Sequence, residues 1–414
     1  MKLNLFFLCL FLSASFSGQA QKYRTDALSD QVKTLRVNLV DNWEAPPIIS
    51  LEGDDWVEIS FDLLGADLEQ LTYTLTHCDA EWRKSPLIES EYMNGFQHNP
   101  VDDYANSFNT TMDYVNYRLT FPNENIYLKI SGNYVAQVFL QGEDFPILTA
   151  CFSVIEPGAS IDMQVTSLTD RGMNSKFQAV NFEVNYGNDV RTPMQDLKVF
   201  VRQNYRLDNE AKLVQPLSFS NQRLVYQHNP SLIFEAGNEY RSFEMTSNRF
   251  NGLNIETIEY HPPYYHVILK PGGFRTFSYF FNEDINGRFY IRTLDGIDFD
   301  LEADYRLVHF FLPCEKPLKE DVYILSGILH NILDKRSRME YSEADKGYIK
   351  TLLLKEGYYN YQYVTKKNSD SPGSPDLTEG SFYETENEYQ IYVYYRPMGS
   401  RYDKLIAYKN LQHR

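Results

Sequence analysis

Cysteine is scarce in this chain, with four in 414 residues. Cys9 falls within the first twenty residues, and only Cys78, Cys151 and Cys314 lie beyond them. Three are too few for a disulfide scaffold and allow at most one bridge. Each sits in an apolar or alternating stretch, which predicts three free core thiols. Past residue 20 no apolar run is long enough for a membrane helix, so insertion into a membrane by helices is excluded. Positive charge is also short, with 39 Lys and Arg against 56 Asp and Glu, a formal charge of −17. So acidic a chain is repelled by phosphates, which argues against nucleic acid and anionic lipid as partners. Helical periodicity is rare, and only Gly65–Leu71 and Ser342–Lys346 suggest single turns. Catalytic signatures are missing as well. There is no Gly-x-Ser-x-Gly elbow, Walker loop, dinucleotide fingerprint, His-Glu-x-x-His or Cys-x-x-Cys.

Residues 1–20 read as a cleaved signal peptide. Lys2 supplies the positive end, Leu5–Leu12 the apolar run, and Gly18-Gln19-Ala20 the small-x-small cleavage pattern. The mature chain is expected to begin at Gln21 and to work outside the cytosol, its first twenty or so residues forming a loose arm.

Aromatic residues are plentiful, with 32 Tyr and 27 Phe against 3 Trp. Tyr and Phe suit pleated, half-buried surfaces. Apolar residues alternate along the whole chain: Val57, Ile59, Phe61, Leu63; Tyr134, Ala136, Val138, Leu140; Val180, Phe182, Val184, Tyr186; Tyr305, Leu307, His309, Phe311; Tyr389, Ile391, Val393, Tyr395. Gly, Pro, Asn and Asp cluster between these runs. Many short strands with regular turn signals predict an all-β fold of tandem β-sandwiches. The faces opposite the apolar ones are rich in Asp, Glu, Asn and Lys, which does not suit the lipid-facing band of a membrane barrel. Breaks at Glu156-Pro157-Gly158 and across Leu312–Pro317 divide the chain into a signal peptide at 1–20 and domains at 21–156, 157–314 and 315–414. Lys366–Glu379, rich in Ser, Asp, Pro and Gly, reads as a long flexible loop.

Candidate chemistry is sparse. His77-Cys78-Asp79 resembles a nucleophile beside a base, but neighbours on a strand point to opposite faces and cannot form a dyad. His261 and His266 flank Pro262-Pro263, a spacing that neither helix nor strand brings simply to one metal. Asp298, Asp300, Glu302 and Asp304 alternate, so an extended backbone would align four carboxylates on one face. Such a face offers oxygens for calcium, or forms a solvated acidic strand edge. Trp43, Trp56 and Trp82 are candidates to stack on sugar rings, or are core-edge residues. No catalytic, cofactor-binding or metal residue is assigned.

Two resemblances emerge. The segments Val322–Gly327, Met339–Tyr341, Gly347–Leu354 and Gly357–Tyr363 resemble immunoglobulin-like glycogen-binding modules of the early-set type. Where those modules carry a sugar-stacking Trp, this chain has His330-Asn331-Ile332, so the resemblance implies the fold more than the ligand. A second resemblance spans nearly the whole mature chain. It is carried in order by His77–Trp82, Glu91–Phe96, Ser107–Thr110, Tyr117–Asn125, Ser131–Tyr134, Asp284–Ile291, Glu302–Tyr305, Glu384–Asn387, Tyr394–Pro397 and Ser400–Asp403. Together they resemble the plug protein family of the bacterial type IX secretion system. That resemblance implies a periplasmic protein, peripheral to the outer membrane. Its partner would be a large outer-membrane β-barrel translocon, whose pore it closes when no cargo is present. It implies no enzyme activity, no cofactor, no nucleic acid and no small-molecule ligand. The alternatives are a periplasmic carbohydrate-binding module protein and a hydrolase with an unmarked carboxylate pair.

Overall fold

The computed structural model describes residues 21–413, and the expected signal peptide lies outside them. Successive residues on a strand face opposite ways, so apolar side chains at every second position hand one face to a core. Val57–Leu64 does this with Val57, Ile59, Phe61 and Leu63, and Phe177–Tyr186 with Val180, Phe182, Val184 and Tyr186. The fold is all-β. The α-helices among the described residues are single turns at Glu89–Tyr92, Pro193–Asp196 and Phe299–Glu302. The turns of helix expected at Gly65–Leu71 and Ser342–Lys346 do not form. The first is a loop into the strand Leu71–Cys78, and the second is the tight turn joining the paired strands Glu340–Ser342 and Gly347–Lys355.

Three β-sandwiches result, each around its own core. The first packs the sheet of Val32–Leu39, Val57–Leu64, Tyr114–Phe121 and Asp103–Asn106 against Leu148–Ile155, Gly132–Leu140 and Leu71–Cys78. Its opening residues are not the loose arm expected. Asp26–Ala27 pairs with Leu148 and Thr149, and Val32–Leu39 pairs with Val57–Leu64. The second sandwich packs Ala159–Thr166, Phe177–Tyr186 and Arg223–Tyr226 against Leu197–Gln203, Glu388–Tyr395 and Lys404–Gln412. The third joins Arg241–Met245, Gly357–Lys366, Phe289–Ile291 and Asp321–Leu325 to a five-stranded sheet centred on Tyr305–Pro313.

The expected division at 314/315 is therefore wrong. Tyr305–Pro313 pairs along its whole length with Gly347–Lys355, so a boundary there would cut one sheet in two. The third sandwich is an insertion in the second, whose last two strands arrive only after residue 387. The stretch Pro313–Pro317 crosses from one sheet to the other within that insert. The first two sandwiches are also less separate than expected. Ile155 pairs with Leu405, so one nine-stranded sheet runs through both. This explains why Glu388–Tyr395 is buried on both faces, with Gln390, Tyr392 and Tyr394 as hidden as Tyr389, Ile391 and Val393.

One predicted face is inverted. On Tyr305–Pro313 the core takes Val308, Phe310 and Leu312, while Leu307, His309 and Phe311 stay half-buried on the outer side. Among the cysteines, Cys78 is buried, Cys151 and Cys314 are half-buried, and all three are free. Cys78 and Cys151 lie on the two strands flanking Gly132–Leu140, opposite Asn133 and Val135. Strands two apart are separated by about 9.5 Å, beyond the reach of a disulfide.

Candidate functional site

Three sandwiches are held as one block by charges buried where they meet. Between the first and third, Lys355 Nζ donates to Asp62 Oδ2 at 2.7 Å, and both side chains are shut off from solvent. Tyr305 donates to the same oxygen at 2.6 Å, and Asn116 Nδ2 to Oδ1 at 2.7 Å. Burial pulls the Lys355 amine below its usual range, against the attraction of Asp62. Nearby, Asp300 receives Arg36 at 2.6 Å and Arg118 at 2.8 Å. Burial alone would raise the Asp300 carboxyl, but Arg36 and its neighbours outweigh it and hold the group below the carboxylate range.

The alternating acidic run is thus neither the extended row of carboxylates expected nor a bare strand edge. Phe299–Glu302 is a helical turn, so Asp298, Asp300, Glu302 and Asp304 do not share a face. Asp298 caps that turn by accepting from the Asp300 and Leu301 N–H groups. Glu302 accepts from the Ile297 and Asp298 N–H groups. Asp304 accepts from Thr111 Oγ1 at 2.6 Å across the junction. Short acidic side chains close to a turn bond local N–H groups more readily than they extend.

Between the first and second sandwiches the hub is Asp403. It accepts from the Ala80 N–H at 2.9 Å, from Lys198 at 2.9 Å and from both arms of Arg396. Its burial would raise the carboxyl, but these donors hold it low. Tyr394 adds a bond to Asn133 Oδ1 at 2.9 Å. Gly132, at φ +130°, lets the chains approach here, since a Cβ would lie 2.5 Å from His77 Nε2 and 2.9 Å from the Asp403 carbonyl. Between the second and third, Arg288 clasps Glu388 at 2.6 Å.

The stretch Lys366–Glu379 is likewise no flexible loop. Thr365 and Ser374 exchange backbone bonds, Arg206 donates to the Gly373 carbonyl at 2.7 Å, and Glu379 is fully buried between Arg241 and Arg275. It forms the return connection of the insert, and Ser and Gly there serve close packing. The burial of Glu379 favours protonation, but the two guanidinium charges prevail and keep it ionised.

His77 and Cys78 are both buried and belong to no dyad. His77 sits among the rings of Tyr92, Tyr134 and Tyr402, with Nε2 3.2 Å from the Ser131 carbonyl and Nδ1 without a partner. Burial pushes the imidazole down to about 4. Below its ordinary value of 6.5 the unfolded chain takes up a proton that the folded chain refuses, so stability drains as pH falls from about 6.5 to about 4. The contribution of His77 is about 3 kcal/mol at most. Urea midpoints measured across that window should fall, and His77→Gln should flatten the slope while keeping a donor for Ser131.

Two surface features complete the site. Trp43 and Trp82 line a cavity of about 270 Å³ where all three sandwiches meet, together with Tyr205, Arg288 and Asn331. Trp56 lies outside that lining and is 49% exposed. Ile332, at the place of the sugar-stacking Trp, is buried. The other feature was not singled out from sequence, although a run of four Phe after Gly272-Gly273 marks it. Arg275 and Tyr279 anchor this segment inward, through Glu379 and through Glu239 at 2.6 Å. Phe277, Phe280 and Phe281 are left 94%, 69% and 60% exposed. The three lie within five residues of one another in sequence.

The segments that carry the family resemblance converge on the junctions. His77–Trp82, Ser131–Tyr134, Tyr394–Pro397 and Ser400–Asp403 meet around Asp403. Ser107–Thr110 meets Glu302–Tyr305, with the Phe108 N–H bonded to the Leu301 carbonyl and Asn109 to Glu302. Asp284–Ile291 reaches Glu388 just past Glu384–Asn387.

Comparison with known proteins agrees. No curated protein matches the chain. Its fold is similar to the crystal structure of a hypothetical protein from Parabacteroides merdae, with 44% sequence identity and a TM-score of 0.93 over 95% of this chain and 100% of the other. A superposition of that extent includes the arrangement of the three sandwiches as well as each one. Residues 32–156, the first sandwich, match the family described as type 9 secretion system plug protein 1st domain. Residues 32–156 thus carry the first domain of the type IX secretion system plug protein family.

Proposed function

We propose that this chain closes the periplasmic mouth of the outer-membrane β-barrel translocon of the type IX system when no cargo occupies it. It binds reversibly and transforms no substrate. A barrel of many strands has a lumen too wide for its own side chains to fill, and needs a separate stopper. A stopper has to keep its shape under load. The observation that carries this reading is the set of three charged junctions, which join the sandwiches of a chain with a plug-family first domain into one unit. Among the described residues no helix is long and apolar enough to cross a membrane, so attachment through a partner fits.

Docking runs through Phe277, Phe280 and Phe281, three exposed aromatics on one segment of a chain that is acidic overall. The test is capture of the barrel from detergent-solubilised outer membranes, with antibiotic entry measured in cells lacking the chain. The wild type should retain a large barrel, and its loss should make the outer membrane leak. The triple change Phe277→Ser, Phe280→Ser, Phe281→Ser should cut capture about tenfold or more with the thermal midpoint unchanged. A wild type that captures no barrel, from cells whose mutant does not leak, would refute the proposal.

A second reading, carbohydrate binding, has the shared cavity of Trp43 and Trp82 in its favour. Retardation in polysaccharide gels that disappears in Trp82→Ala would select it instead.

A further inference from the structure

The histidines flanking Pro262-Pro263 do not stay apart, as their spacing suggests. Ile255–His261 turns back into Tyr264–Leu269, placing Glu259 opposite His266. Tyr264–Leu269 then pairs in parallel with Tyr305–Pro313, which sets Ile268 opposite His309 and His309 opposite Thr351 on the next strand. Val267 and Val308 face the core, so Glu259, His261, His266, His309 and Thr351 share the outer face. Three imidazoles stand in a row there, with ring centres 5.1 Å apart from His261 to His266 and 5.1 Å from His266 to His309. Imidazole nitrogens about 2 Å from a tetrahedral metal place ring centres about 5 Å apart.

His266 Nδ1 and His309 Nε2 lie 2.8 Å from each other, with room for one proton between two lone pairs. Thr351 Oγ1 is 2.9 Å from His309 Nδ1. With that N–H donated to Thr351, the Nε2 lone pair of His309 points at His266. An outer bond of this kind orients a metal-ligating histidine and fixes its tautomer. As the side chains stand, no three His, Cys, Asp or Glu among the described residues are arranged to hold a metal ion. The third donor is held aside: His261 Nε2 is 3.0 Å from Glu259, on a side chain 64% exposed and free to turn.

We propose that His261, His266 and His309 bind one Zn²⁺, with Glu259 or water completing the tetrahedron. The ion replaces the shared proton and ties the hairpin to the neighbouring strand. A nitrogen-rich set selects zinc over magnesium or calcium, which take oxygen. The site is independent of the docking reading.

The test is calorimetric titration of the tag-free 21–414 chain with ZnCl₂, with MgCl₂ as control and circular dichroism to confirm folding. One Zn²⁺ per chain is expected for the wild type and for His98→Ala. Binding should vanish in His266→Ala and His309→Ala, and weaken about tenfold or more in His261→Ala and in Thr351→Val. A wild type without saturable Zn²⁺ uptake, or folded His266→Ala and His309→Ala chains that bind as the wild type does, would overturn the proposal.

Discussion

Lys355→Met is expected to lower the stability of the chain by about 3–5 kcal/mol, because it strands Asp62 without its counter-charge where water cannot reach. Tyr305 and Asn116 would still donate to that carboxylate, but neutral donors do not replace a cation. Lys355 also lies 4.1 Å from the centre of the Tyr114 ring and donates to the Asp300 carbonyl at 2.7 Å, so its loss loosens the helical turn that faces the first sandwich. Guanidinium unfolding measures the loss. The double change Asp62→Asn, Lys355→Met separates a missing attraction from a stranded charge, since the amide keeps an acceptor and carries no charge. It should recover at least about half of the deficit. A single mutant as stable as the wild type would mean that the pair does not hold the junction.

Glu379→Ala should cost a similar amount, about 3–5 kcal/mol, and for the opposite sign of charge. It leaves Arg241 and Arg275 facing each other with no carboxylate between them. It also removes the acceptor for the Tyr363 N–H, bonded at 2.9 Å. The visible consequence is at the connection between insert and host. Limited proteolysis should cut the variant between residues 366 and 379 at a rate well above that of the wild type. Equal resistance would show that the segment is held by its backbone bonds alone.

The legible part of this molecule is what recurs at short range. Period-two alternation placed the strands at Val57 and Val180, because the two faces of each differ in polarity, and the strand at Tyr389 although both of its faces are buried. The signal failed where they do not differ. Along Tyr305–Pro313 both Leu307–Phe311 and Val308–Leu312 are apolar, and only the opposing sheet decides which side is inside. The insertion was hidden for another reason. A proline-bearing stretch that crosses a sandwich looks the same as one that links two of them.

The junctions were the least visible from residues alone. Asp62 and Lys355 are 293 residues apart, and nothing local to either announces the other. The acidic run at 298–304 misled because its partners, Arg36, Arg118 and Thr111, lie in another sandwich. Resemblance carried what periodicity could not, and its segments lie mostly where the sandwiches touch.

The split second sandwich has a consequence for how the polypeptide comes together. Its central strand, Glu388–Tyr395, is made after the entire insert, and Lys404–Gln412 later still. A chain that emerges N-terminus first, from a ribosome or an export channel, presents the first and third units complete before Leu197–Gln203 gains its neighbour. Pairings of such long sequence separation form late and slowly. Closure of the nine-stranded sheet is thus expected after the first and third sandwiches have formed. Until the last 27 or so residues of this sequence arrive, the sheet shared by the first two sandwiches cannot form.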